Sequence, residues 1–189
     1  MAKKVASTTP TPYQPLPPPT QVLFPTVFGS IVYWMVGLRP DVDAYLTFLL
    51  ILVLCANAAV AMGYALSAIF RNTTAAIAAG SVVIMPMALF SGLLLDIENL
   101  AGWLRPLQFL SIIRYTYHAI LINEYADQPI NCGFNVVCAF RDGNAVLAYV
   151  GANPAEKALN IGMLFIFMLG FRLVAFLALK YHSTRITSV

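Results

Sequence analysis

Met87 to Tyr115 reads MALFSGLLLDIENLAGWLRPLQFLSIIRY. A strongly apolar run ends on Gly92-Leu93-Leu94-Leu95, turns acidic at Asp96 and Glu98, and becomes apolar again almost at once. The second apolar piece carries Trp103, Arg105, Pro106 and Arg114. It is too short and too charged to cross a bilayer, yet too apolar for an ordinary loop. The stretch therefore reads as the end of a membrane span followed by a segment that dips back toward the membrane.

Composition agrees. Of 189 residues, 60% are hydrophobic and only 10% charged, with a mean hydropathy of +0.77. A soluble domain averages about 45–50% apolar and about 25% charged. This is the composition of an all-α integral membrane protein, because a span with few charges must satisfy its backbone internally. The net charge of +3 implies no nucleic-acid partner. His118 and His182 lie far apart and make no metal cluster, so no metal site and no catalytic residue is expected.

Residues 1–22 form a Pro/Thr-rich tail, expected to be disordered or polyproline-like. It is no signal peptide, since Lys3 and Lys4 precede prolines rather than an apolar core. A transmembrane helix needs about 20 apolar residues, with about 17 as the lower limit. Four runs qualify, at about 22–38, 44–70, 74–95 and 158–179. The first only just does, and is either a short span or the last part of a longer one. The remainder divides into a loop over 96–157 and a short cytoplasmic tail over 184–189.

Four crossings put both termini on one side. That side holds Lys3, Lys4, Arg71, Lys180 and Arg185, against Arg39, Arg105, Arg114 and Arg141 on the other. The positive-inside rule then favours cytoplasmic termini by a narrow margin. The 96–157 loop would be extracellular or lumenal, where Cys132 and Cys138 are expected to pair as a disulfide, with free thiols as the alternative. The sequon at Asn72-Thr73-Thr74 would face the cytoplasm and stay unused.

Four motifs carry a resemblance: IVYWMVGLRPD (Ile31–Asp41), FSGLLLD (Phe90–Asp96), WLRPLQFLSIIRYTYHAILINEY (Trp103–Tyr125) and GFRLVAFLALKYH (Gly170–His182). Together they resemble the C-terminal half of the transmembrane domain of ABC transporters of the G subfamily, the White-type half-transporters. The resemblance covers about residues 23–183 and implies a partial transmembrane domain with a re-entrant helical segment in its last extracellular loop. It implies that Leu93 and Leu94 form a hydrophobic plug between two protomers. Helical spacing back from Leu93 gives Ser81, Met85 and Ala88 as a candidate substrate-cavity stripe. Met, Ala and Ser suit a pliable, weakly selective surface, although packing against lipid or another helix fits them nearly as well. Pro86 in the same span is expected to kink it. Arg172 reads as structural, despite its place mid-span.

The family's chemistry is ATP hydrolysis driving alternating access, with ATP and Mg as cofactors of the complete transporter. These 189 residues contain no GxxxxGK[ST] phosphate loop. The expected function is thus a transmembrane fragment of an exporter of lipid-like or other hydrophobic small molecules, with no ATPase activity of its own. It would sit in the plasma membrane or an organelle membrane as a homo- or heterodimer with another half-transporter. The alternatives are a small membrane protein that binds and regulates an intact half-transporter, and an unrelated four-span scaffold.

Overall fold

The computed structural model describes residues 18–70, 72–92, 105–130, 140 and 142–187. Among them the chain is helical throughout, with one isolated antiparallel bridge between Pro129 and Asp142. Six α-helices follow in order: α1 (Pro18–Val36), α2 (Val42–Ile69), α3 (Thr73–Leu89), α4 (Ile112–Tyr125), α5 (Gly143–Val150) and α6 (Lys157–Thr187). A helix thus lies in each of the four apolar runs. Two stretches, Val42–Ile69 and Pro154–Tyr181, each of 28 residues and mean hydropathy 2.3, are long and apolar enough to cross a membrane. The other two helices are shorter, at 19 residues for α1 and 17 for α3.

Local sequence sets the ends. Gly37 follows α1 with a left-handed φ of 70°, and the Leu38 amide reaches back to the Tyr33 carbonyl at 3.3 Å. That is a Schellman closure, which glycine adopts without steric cost. Gly151 closes α5 in the same way, with Ala152 N–H donating to Leu147 O at 2.8 Å. Ser111 and Asp142 cap the starts of α4 and α5 with their side-chain oxygens. Pro154–Glu156 forms a 3-10 turn that runs straight into α6, as a proline just before a helix permits.

Helix α2 is the hub, packing on α1, α3, α4 and, most extensively, α6. Its buried residues include Ala58, Ala61 and Ala65, a spacing that keeps one face free of bulk and lets another backbone approach closely. Gly29 does the same at the α1–α2 seam, where an added Cβ would stand 2.6 Å from Leu52 Cδ2. The main core joins Ile51, Ala58 and Met62 of α2 to Ile112, Tyr115 and Ala119 of α4 and Leu164 of α6. Asn57 is buried mid-helix and donates to Val53 O at 2.9 Å, which satisfies one of its amide protons. A second, smaller cluster of Ile122, Leu147 and Ala152 holds α5 against the end of α4.

Candidate functional site

The stripe Ser81, Met85, Ala88 lies on α3 at spacings of four and three residues, hence on one helical face. Helix α3 has no buried residue. Ser81 is exposed, its hydroxyl turned back to Ile77 O at 3.3 Å. Met85 is 72% exposed, and Ala88 is half-buried. Pro86 falls inside the helix, and its ring nitrogen cannot donate to the carbonyl four residues back. The helix continues three residues further, and then Ser91 Oγ donates to Ala88 O at 2.7 Å. Gly92, at φ 83°, turns the chain away. Leu93 and Leu94, the expected plug, follow directly but lie outside the described residues, as do Cys132 and Cys138.

The second apolar piece of the opening stretch returns to this point. Arg105–Leu110 is a 3-10 turn leading into α4. Ser111, fully buried, donates its hydroxyl proton to Met87 O at 2.6 Å. The end of α3 and the start of α4 are therefore fastened side by side. Arg114 stacks over the Phe109 ring at 5.0 Å, a cation–π contact that offsets part of the cost of placing a guanidinium in partly apolar surroundings. Burial lowers the Arg114 pKa. One turn on, His118 is 3% exposed. Burial, with the Arg114 charge adding to it, pushes its pKa down to about 4. It is therefore a neutral imidazole at physiological pH.

At the far end of α4 sits a polar knot that the sequence reading did not single out. Asn123 Nδ2 donates to Ala44 O of α2 at 2.8 Å, and Lys157 Nζ of α6 donates to Asn123 Oδ1 at 2.9 Å. The neighbouring Glu124 accepts from Arg39 N–H at 2.9 Å. Arg39 is in turn ion-paired with Asp41 and accepts the Tyr33 hydroxyl proton at its carbonyl. Two consecutive side chains of α4 thus tie together the α1–α2 turn, the first turn of α2 and the first residue of α6. The sequence signal was present, as a carboxamide and a carboxylate side by side in an otherwise apolar helix. A cavity of about 310 Å³ opens beside the knot, lined by Arg39, Asp41, Asp43, Thr47, Asn123 and Lys157 among others. Arg172 is exposed on α6. No group of His, Cys, Asp and Glu among the described residues could hold a metal ion.

Comparison with known proteins gives the arrangement its context. Residues 18–125 match the family model of the ABC-2 type transporter membrane domain. The chain is 32% identical over 170 residues to the Drosophila melanogaster "Protein white", covering 88% of this chain and 25% of that protein. It is 29% identical over 173 residues to the Caenorhabditis elegans "ABC transporter ATP-binding protein/permease wht-1", covering 87% of this chain and 26% of that one. It is 35% identical over 118 residues to the Bos taurus "Broad substrate specificity ATP-binding cassette transporter ABCG2", covering 62% of this chain and 18% of that one. The chain spans about a quarter of the length of the first two relatives. Such a match over most of these residues is incompatible with an unrelated scaffold. The chain belongs to the ABC-2 type transporter membrane-domain family.

Proposed function

We propose that this chain is the C-terminal part of the transmembrane domain of an ATP-driven exporter of lipid-like or other hydrophobic small molecules. It works in a dimer with another half-transporter, and its nucleotide-binding domain is supplied outside these 189 residues. ATP and Mg act there, not here. In this reading all four apolar helices cross the membrane with the termini cytoplasmic. The segment after Asp96 is re-entrant and roofs an extracellular or lumenal vestibule that Cys132–Cys138 braces. Leu93 and Leu94 form the plug between two protomers, and Ser81, Met85 and Ala88 line the cavity below it.

The observation that carries this reading is the apolar surface of α3, none of whose residues is buried, beside a core that α2, α4 and α6 share and that α3 meets through Met87. A helix of Ala, Val, Ile and Met with no buried residue needs lipid, substrate or a symmetry mate around it. Broad substrate specificity, printed in the name of one relative, is what a flexible methionine beside small residues would support.

A cross-linking experiment tests the dimer. Met85→Cys, in a chain with Cys55 replaced by Ala, is expected to form a bis-maleimide dimer in membranes, whereas Leu177→Cys on the exposed face of α6 is not. Equal cross-linking at both positions, or none at Met85→Cys, would sink the reading. A regulatory partner of an intact half-transporter would use the same surface. It is favoured if a tagged copy of this chain co-purifies with a full-length White-type protein and lowers its ATP hydrolysis.

A further inference from the structure

The cavity beside the polar knot has a charge pattern that the fold alone does not require. Of the four ionised groups lining it, Arg39 and Asp41 neutralise each other. Asp43 and Lys157 remain, one of each sign, and neither makes an ion pair among the described residues. Asp43 lies in the first turn of α2, where the helix dipole favours an anion. Lys157 has no such excuse. It is the first residue of α6, a cation at the positive end of a 31-residue helix, and its ammonium donates to a neutral amide oxygen of Asn123. An anionic group beside Lys157 would relieve that mismatch.

The cavity is also continuous with an apolar track. Val42, which lines it, is 73% exposed, and Leu46 and Leu50 follow on the same face of α2 at 57% and 50%. The stripe runs from the polar end of the helix along a segment long and apolar enough to cross a bilayer. A polar pocket at the boundary, opening onto an aliphatic stripe, has the shape and chemistry of an amphiphile.

We propose that this cavity binds the zwitterionic headgroup of one phospholipid, with the phosphate toward Lys157, the quaternary ammonium toward Asp43, and an acyl chain along Val42, Leu46 and Leu50. Thr47 supplies a hydroxyl able to donate to a phosphate oxygen. The site lies at the end of α2 and α6, apart from the α3 stripe. It requires only that α2 and α6 lie in a bilayer, so it stands whether or not the chain dimerises through α3.

Native mass spectrometry of the full chain tests it, released from detergent after delipidation and titrated with dioleoyl phosphatidylcholine. One bound lipid per chain is expected, weakened at least tenfold by Lys157→Met and by Asp43→Asn, and largely restored in Lys157→Arg. Asp43 is exposed and makes no core contact, so Asp43→Asn stays folded even if Lys157→Met does not, which far-ultraviolet circular dichroism verifies. Phosphatidylglycerol, which lacks the ammonium, is expected to bind at least tenfold more weakly than phosphatidylcholine. Chain-free phosphocholine is expected to bind more weakly still. Lipid binding indifferent to both Lys157→Met and Asp43→Asn would overturn the proposal, since the lipid would then be merely annular. Phosphatidylglycerol matching phosphatidylcholine would overturn the zwitterion, and phosphocholine matching the lipid would overturn the membrane source.

Discussion

Helices α3 and α4 are neighbours along the chain, and they could hardly be treated more differently by the fold. Helix α3 is uncharged, mostly apolar and has no buried residue, whereas α4 carries Arg114, His118, Asn123 and Glu124 and buries six of its fourteen residues. In water this would be upside down. In a membrane protein it follows from the solvent: lipid is as apolar as leucine, so an apolar helix gains little by hiding in its own protomer. Polar side chains gain most from burial against hydrogen-bonding partners, because the alternative in hydrocarbon is an unsatisfied group. The difference between the two helices is therefore a difference between internal scaffold and outward-facing surface.

The contrast is sharpest in what substitution should cost. Asn123→Leu removes the bonds to Ala44 O and from Lys157 together. It leaves a lysine ammonium without its recorded acceptor, a loss of about 2–3 kcal/mol. The thermal midpoint in detergent should fall by several degrees, and an unchanged midpoint would mean the knot is replaceable by water.

A smaller effect is expected from acid. His118 has a pKa of about 4 in the fold against about 6.5 in an unfolded chain. Between those values the unfolded state takes up a proton that the folded state refuses. The neutral imidazole's contribution is therefore complete above pH 6.5 and is lost progressively as pH falls toward 4. Comparing the wild-type midpoint at pH 7.5 and pH 5 with that of His118→Leu isolates it. The substituted chain should show the shallower dependence, and identical slopes would place His118 in water.

The smallest effect belongs to α3. Ser81→Ala and Met85→Ala remove side chains that touch little in the protomer, and each should change stability by no more than about 0.5 kcal/mol. A loss of 2 kcal/mol from either would show that this stripe of α3 is packed within its own chain, and the contrast would collapse.

The helical class, the four apolar runs and the family were legible in the sequence because each rests on composition or contiguous motifs. Long runs free of charge admit no alternative to helix in a bilayer. The stripe on α3 was legible as spacing but not as exposure, since a helix apolar all round gives no periodic sign of which face is covered. Reading back from Leu93 placed Ser81, Met85 and Ala88 on one face, and the structure leaves Ser81 and Met85 of that stripe open. The polar knot escaped because its parts are scattered over Tyr33, Arg39, Ala44, Asn123, Glu124 and Lys157. Only the fold brings a carbonyl at 44 to an amide at 123. Helix α4 itself, expected as part of a re-entrant segment, packs against both α2 and α6 through Tyr115, Ala119 and their neighbours.

The bond from Ser111 Oγ to Met87 O brings together two residues 24 positions apart. That contact closes the excursion of chain between them, a matter of sequence separation alone. The entropy of closing such an excursion rises only with the logarithm of its length, so doubling it costs about 0.6 kcal/mol. Lengthening or shortening the stretch that follows Leu95 should therefore be cheap, provided the serine and its carbonyl partner keep their places. In closure entropy, then, the part of the molecule whose reading opened the question of the fold places little demand on the helices on either side.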